Sequence, residues 1–167
     1  MKIEFKKITD FHRGILYDIL LDAYSFDKRY AICWNKNWKQ ADDFFFDNPT
    51  IADAYGFVTC YNGEPIGFIC WDPRNRPEYV EIGHNGIRTA YKGNGFGKLQ
   101  LCEAIRRIKE DDGLKEIRVK TNRNLLAPKN YERVGFVLCD TEENNGEAAF
   151  SGDYLYYKIR LKSSERN

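Results

Sequence analysis

Three glycines in five residues, Gly93, Gly95 and Gly97 of Lys92-Gly93-Asn94-Gly95-Phe96-Gly97-Lys98, stand at a junction of two patterns. An extended stretch, Tyr79 to Arg88, gives way there to a helical one carried by Phe96, Leu101, Ala104, Ile105 and Ile108. Glycine permits positive φ and close backbone approach, and the first amides of a helix lack intrahelical acceptors while facing the positive end of its dipole. Such a junction is a cradle for an anion, most naturally a phosphate. Two common phosphate loops fit it poorly. A Walker loop ends in Gly-Lys-Ser/Thr, but Leu99 follows Gly97-Lys98, so the hydroxyl that would hold magnesium is missing. A dinucleotide fingerprint is G-x-G-x-x-G near the first βα turn. Here G-x-G-x-G lies past the middle of the chain with no long α/β alternation after it.

The loop resembles instead the pyrophosphate loop of the GNAT acetyltransferases: Arg or Gln, two residues, Gly, any residue, then Gly or Ala. Lys92 stands where the family usually has Arg or Gln. Downstream, Asn124-Leu125-Leu126-Ala127-Pro128-Lys129-Asn130-Tyr131-Glu132-Arg133-Val134-Gly135-Phe136 is similar to that family's second signature, an Asn, two residues, an Ala, then a short helix carrying Tyr-Glu-Lys/Arg-x-Gly-Phe. Two motifs in this order are far more specific than either alone. The resemblance covers Tyr79 to Cys139 by motif and the rest by its order of elements. It implies one N-acetyltransferase domain over residues 1–167, of α/β (α+β) class. The sheet would be mixed and mostly antiparallel, with a splayed central parallel pair and helices on both faces. It also implies acetyl-CoA as cosubstrate, no metal, and transfer to a primary amine by direct attack in a ternary complex.

The same resemblance assigns expected roles. The amides of Gly93, Asn94, Gly95, Phe96, Gly97 and Lys98, with the Lys92 side chain, would take the pyrophosphate; Arg123 and Lys129 are further basic partners. The strand through Asn85, Gly86 and Ile87 would bind the pantetheine as if it were another strand, with an N–H near Ile87 facing the thioester oxygen. Asn124 matches the position that reaches the pantetheine arm, and it could equally cap a helix. Tyr131 matches the tyrosine that protonates the coenzyme A thiolate; a phenol of pKa near ~10 suits that task. The base stays open. Glu81 lies eleven residues before Lys92, an offset used by members that acetylate protein lysines. Strand parity turns it inward with Gly83 and Asn85, where desolvation would raise its pKa. His84 is the rival, on the opposite face unless a bulge at Gly83 shifts it, and ordered water is the third option.

The elements that must hold these residues can be read in order. Lys2 to Ile8 alternates as a strand, and Thr9-Asp10 offers an N-cap to a helix carrying Phe11, Ile15, Leu16, Ile19, Leu20 and Ala23. Tyr24, Phe26, Tyr30, Trp34 and Trp38 follow with no clear period, as core lids or as the wall of an acceptor pocket; the resemblance favours the pocket. A second helix is expected over 37–46, with Asp42, Asp43 and Asp47 on a solvated face. Asn62-Gly63 marks a tight hairpin between strands at 54–61 and 66–71. The Tyr79–Arg88 strand, the loop and a helix to about Asp111 come next. Lys115 to Thr121 then forms a strand parallel to the one before the crossover. The short helix bearing Tyr131 begins at Asn124 and ends at Gly135. Phe136 to Cys139 is a strand, Glu142 to Glu147 a polar turn, and Tyr154 to Leu161 a final strand whose exposure could pair two copies into a homodimer.

Composition narrows the function classes. Aromatics are 15% and charged residues 31% of 167, a globular balance, and 26 basic against 25 acidic residues leave no footprint for nucleic acid or a membrane surface. No apolar run spans a bilayer, and the N-terminus lacks a signal-peptide core, so a cytoplasmic location is expected. Five scattered cysteines suggest neither a disulfide framework nor a zinc site. The aromatic segment favours a small-molecule amine as acceptor. A protein or peptide amine, and a non-catalytic acyl-CoA-binding module, are the alternatives.

Overall fold

The computed structural model describes residues 2–145 and 152–162. Its strands are β1 (Ile3–Lys6), β2 (Gly56–Tyr61), β3 (Glu64–Asp72), β4 (Tyr79–Ile87), β5 (Glu116–Asn122), β6 (Val137–Glu142) and β7 (Tyr154–Arg160). They form one sheet in the order β1-β2-β3-β4-β5-β7-β6, in which only β4 and β5 run parallel. The β2–β3 hairpin turns on Asn62 and Gly63, whose φ values of 49° and 84° are what a two-residue turn between twisted strands requires. The final strand is not the edge: β7 lies between β5 and β6, and β6, exposed along its whole length, is the rim.

Among the described residues, five α-helices cover the sheet: α1 (Ile15–Ala23), α2 (Lys28–Asp47), α3 (Pro49–Tyr55), α4 (Phe96–Ile108) and α5 (Ala127–Arg133). On one face, Leu101, Ala104, Ile105 and Ile108 of α4 and Tyr131 of α5 pack with Val80, Ile82, Ile117 and Val119. On the other, Leu16, Ile19 and Leu20 of α1 and Tyr30, Trp38 and Phe45 of α2 pack with Val58, Phe68 and Cys70.

Three expectations change. The second helix starts at Lys28, not near Asn37, because Asp27 caps it by accepting the Arg29 N–H; the aromatic run is mostly helical, with Tyr30 and Trp38 buried. The first helix starts at Ile15. Asp42 is no solvated carboxylate either. Only 2% exposed, it accepts the N–H groups of Gly14, Leu16 and Tyr17 at 2.8, 3.0 and 3.3 Å, capping α1 from across the helix pair. Asp43 and Asp47 pair instead with Arg13. The polar turn expected over 142–147 falls partly outside the described residues.

Candidate functional site

The parallel pairing of β4 and β5 is short. It runs from Tyr79↔Glu116 to Ile82↔Val119 and stops, after which, among the described residues, β5 pairs only with β7 and β4 only with β3. The far ends of the two strands therefore splay into a gap. Its β4 side follows from the antiparallel ladder. Arg88 donates to Ile66 at 2.7 Å, so the pairs Arg88/Ile66 and Gly86/Phe68 are the hydrogen-bonded ones. The backbone groups of Asn85 and Ile87 alternate with them and face the gap.

At the open end lies the glycine turn. Gly93 and Gly95 have φ of 80° and 83°, and a side chain built at either would meet nothing within 4 Å. Gly95 is the N-cap of α4; among the described residues no side chain caps that terminus, and no acid lies in its first turn. Uncapped amides and the helix dipole thus open onto exposed space beside Gly93, Asn94, Gly95 and Lys98. Phe96 anchors the turn, buried with Ile66 and Ile87, its ring 4.9 Å from that of Tyr61. Gly97 leaves room for Asn130, whose Nδ2 lies 3.0 Å from where a Cβ would stand.

Lys92 does not point into this cradle. Its ammonium donates to the carbonyl of Ala23 at the end of α1 and lies 4.7 Å from the centre of the Phe26 ring, and burial lowers its pKa. The stretch before the loop is fastened to the same helix end, with the Asp22 carboxylate accepting the Thr89 N–H at 3.1 Å. Arg123 lies 4.0 Å from Asp153 and Lys129 is exposed. Asn124 is not the cap of α5, which begins at Ala127. It sits in the preceding turn, its N–H donated to Asn122 Oδ1 at 2.9 Å and its amide beside Gly152.

Tyr131, 3% exposed, comes from α5 on the other wall. Its ring meets Phe136 edge-on at 5.4 Å, and its hydroxyl accepts the Asn85 Nδ2–H at 3.1 Å. Burial pushes the phenol up to about 12, and the Asn85 donor pulls it back down. A second phenol, Tyr24 at the end of α1, is close enough for the Tyr131 phenol to disfavour its ionisation. Its pKa is raised by burial first, then by the Tyr131 and Tyr30 phenols. Tyr24 was legible only as an aromatic, and Asn85 only as strand backbone.

Glu81 lies elsewhere. Ile82 and Asn85, three apart, share the α4–α5 face because Gly83 and His84 together oppose the single residue Cys70, a bulge that inverts the parity between them. Glu81 is consequently exposed, in register with Arg118 on the face opposite Asn85. The inward, desolvated Glu81 expected from simple alternation is corrected by that bulge. His84, in the bulge, is half-buried, and desolvation lowers its pKa. Among the described residues no group of His, Cys, Asp and Glu could hold a metal, and no helix is long and apolar enough to cross a membrane.

Residues 15–136 match the Acetyltransferase (GNAT) family. No curated protein matches the chain. Among solved structures, the yncA protein of Salmonella typhimurium, determined with its cofactor acetyl-CoA, superposes with a TM-score of 0.75 at 16% identity, covering 98% of this chain and 95% of that one. The ribosomal-protein-S18-alanine N-acetyltransferase of Escherichia coli gives 0.71 at 17% identity, covering 99% and 97%. A GNAT family acetyltransferase of Elizabethkingia anophelis with acetyl-CoA bound gives 0.64 at 19%, covering 96% and 97%. At these identities the likeness is one of fold.

Proposed function

Since the chain belongs to the GNAT acetyltransferase family, we propose that it transfers an acetyl group from acetyl-CoA to a primary amine, by direct attack with both bound, and that the amine belongs to a small molecule. One observation carries the reading: the uncapped start of α4, the gap-facing backbone of Asn85 and Ile87, and the Tyr131 hydroxyl border the same splay between β4 and β5. A pyrophosphate fits the open cradle at Gly93 to Lys98, where added side chains would meet nothing at Gly93 or Gly95. An extended amide-bearing arm fits the β4 edge by strand addition, with Asn124 within the same turn region for its far side.

Acetyl-CoA supplies an activated carbonyl whose C–S bond breaks as the amine nitrogen bonds to carbon. The residues of the chain do the rest. The Ile87 N–H stabilises charge growing on the carbonyl oxygen. Tyr131 gives its proton to the departing sulfur. A phenol held near 12 looks weak for a thiol of ordinary pKa about 8.5. The same burial that disfavours phenolate also disfavours thiolate in that gap, which narrows the difference. The proton lost by the amine passes to His84 or through it to water; the lowered pKa keeps the imidazole neutral and able to accept. Glu81, exposed and paired within the β4–β5 seam outside the splay, serves less well and only through solvent. The half-buried Tyr24, close to Tyr131, and the exposed Phe26 beside it support a modest, partly apolar acceptor over a long basic tail.

The test is calorimetric titration with acetyl-CoA and with coenzyme A, on the native chain and on Gly95→Glu, followed by turnover on a panel of small amines and one peptide amine. Saturable binding lost in the variant, with turnover on a small amine, is the expected result. No binding to the native chain overturns the donor site, and turnover on the peptide alone overturns the acceptor class. A non-catalytic acyl-CoA sensor would bind as tightly and turn over nothing, and Tyr131→Phe would change nothing in it.

A further inference from the structure

A polar side chain without exposed surface sits in the apolar stripe of α4. Gln100, 0% exposed, belongs to the row of Phe96 and Ala104 that faces the sheet. Its Nε2 lies 3.0 Å from the carbonyl of Phe68, 3.3 Å from that of Gly86 and 2.8 Å from Asn85 Oδ1, while its Oε1 accepts the Thr59 hydroxyl at 2.7 Å. The absence of a side chain at Gly67 makes room for it: a Cβ there would stand 2.4 Å from Gln100 Oε1.

The direction of every bond in this chain is dictated by chemistry. Backbone carbonyls only accept, so the Gln100 amide must turn its NH2 toward Phe68 and Gly86, with one N–H shared between the two carbonyls and the other left for Asn85. That NH2 also meets Asn85, so Asn85 must present its oxygen there and its own NH2 to Tyr131. The phenol oxygen, which carries one proton, must then accept from Asn85 and direct that proton elsewhere. Away from the Asn85 amide, the hydroxyl borders the splay that opens where the β4–β5 pairing ends.

We propose that Gln100 is a positioning residue: by fixing the Asn85 amide it makes Tyr131 a proton donor toward the gap. This rests on the reading of Tyr131 as the acid that protonates the leaving sulfur. In that step the O–H bond of Tyr131 breaks as an S–H bond forms, the phenolate keeps the Asn85 N–H donor, and water restores the proton. A Leu or Met at position 100 would release Asn85 to turn over, accept from Tyr131 and draw the phenol proton inward.

The test uses coenzyme A as the probe and reads its bound thiol by the ultraviolet absorbance of the thiolate across pH, in four proteins: native, Gln100→Met, Tyr131→Phe and the double variant. A phenol aimed at sulfur favours thiolate, so Tyr131→Phe and Gln100→Met each raise the titration midpoint by about one pH unit. In the Tyr131→Phe background Gln100→Met adds nothing. Thr59→Val removes one bond to Gln100 but leaves the two carbonyls to orient it, so its midpoint stays native. Should Gln100→Met not fold, Asn85→Asp replaces it; its charge acts in both backgrounds, and the excess shift seen only with Tyr131 present is the signal. Equal shifts with and without Tyr131, or none, overturn the positioning role alone. A native midpoint in Tyr131→Phe overturns the acid role beneath it.

Discussion

His84 and Glu81 are three residues apart in chain and on opposite sides of the chemical question. Burial lowers the His84 pKa, so the neutral, proton-accepting form extends below pH 6.5. With His84 as the proposed base, the acid limb of kcat/KM is expected below that value. His84→Gln abolishes the limb and lowers kcat by about 10²-fold, a usual size for losing a positioned base, while Glu81→Gln stays within about twofold. Pre-steady-state and steady-state pH profiles of both variants check this, and a normal profile for His84→Gln would hand the proton to water alone. The same shift acts on stability. As pH falls below about 6.5 the unfolded chain binds the proton first, so the stability tied to neutral His84 is complete at neutral pH and is lost on going down. The glycine turn and Tyr131 were legible in sequence because positive φ and a local motif leave marks in residue type. The face of Glu81 was not, since the bulge at Gly83 and His84 is a relation between strands. Gln100 left a trace that went unread, a polar residue four positions from both Phe96 and Ala104 in a buried row.

At the level of elements, α1 matters because its end carries Tyr24, Asp22 and the Ala23 carbonyl that engages Lys92. The helix is short, and its start is held by a single buried carboxylate from α2. Asp42→Ala strands three N–H groups away from water and removes the anion at the dipole's positive end; it should lower unfolding free energy by about 2–3 kcal/mol, read by denaturant titration. Asp42→Asn, which keeps an acceptor, should cost less, and equal losses would mean that packing rather than capping dominates. Sequence periodicity found α4 and the β2–β3 hairpin because their apolar rows and turn residues are local. It missed the first half of α2, where aromatics point both into the core and outward, and it could not see that Asp42 works across helices.

For the whole molecule, the central feature is a sheet whose two parts, β1 to β4 and β5 to β6, share only a four-residue parallel seam. α4 and α5 bridge them on one face. A coenzyme seated in the splay touches both parts, so it binds the folded chain alone. At a hundredfold excess over its Kd it adds about 2.7 kcal/mol, which for a chain of this size raises Tm by about 5–10 °C. Thermal scans with coenzyme A should show this for the native chain and not for Gly95→Glu, whose side chain would block the cradle. A variant that shifts as far as the native chain would mean that the ligand sits elsewhere. The order of elements around the seam could be read from the sequence, apart from α3; the edge could not, because β6 and β7 exchange places relative to their order in the chain.

The splay also inverts an ordinary rule of sheets. Central strands are where amide protons are slowest to trade with solvent deuterium, and rims are where they trade fast. Asn85 and Ile87 lie in the fourth strand of the sheet, yet their backbone faces a gap with no strand across it among the described residues. To an isotope the middle of this sheet is a shoreline, and it becomes interior only when something lies along it.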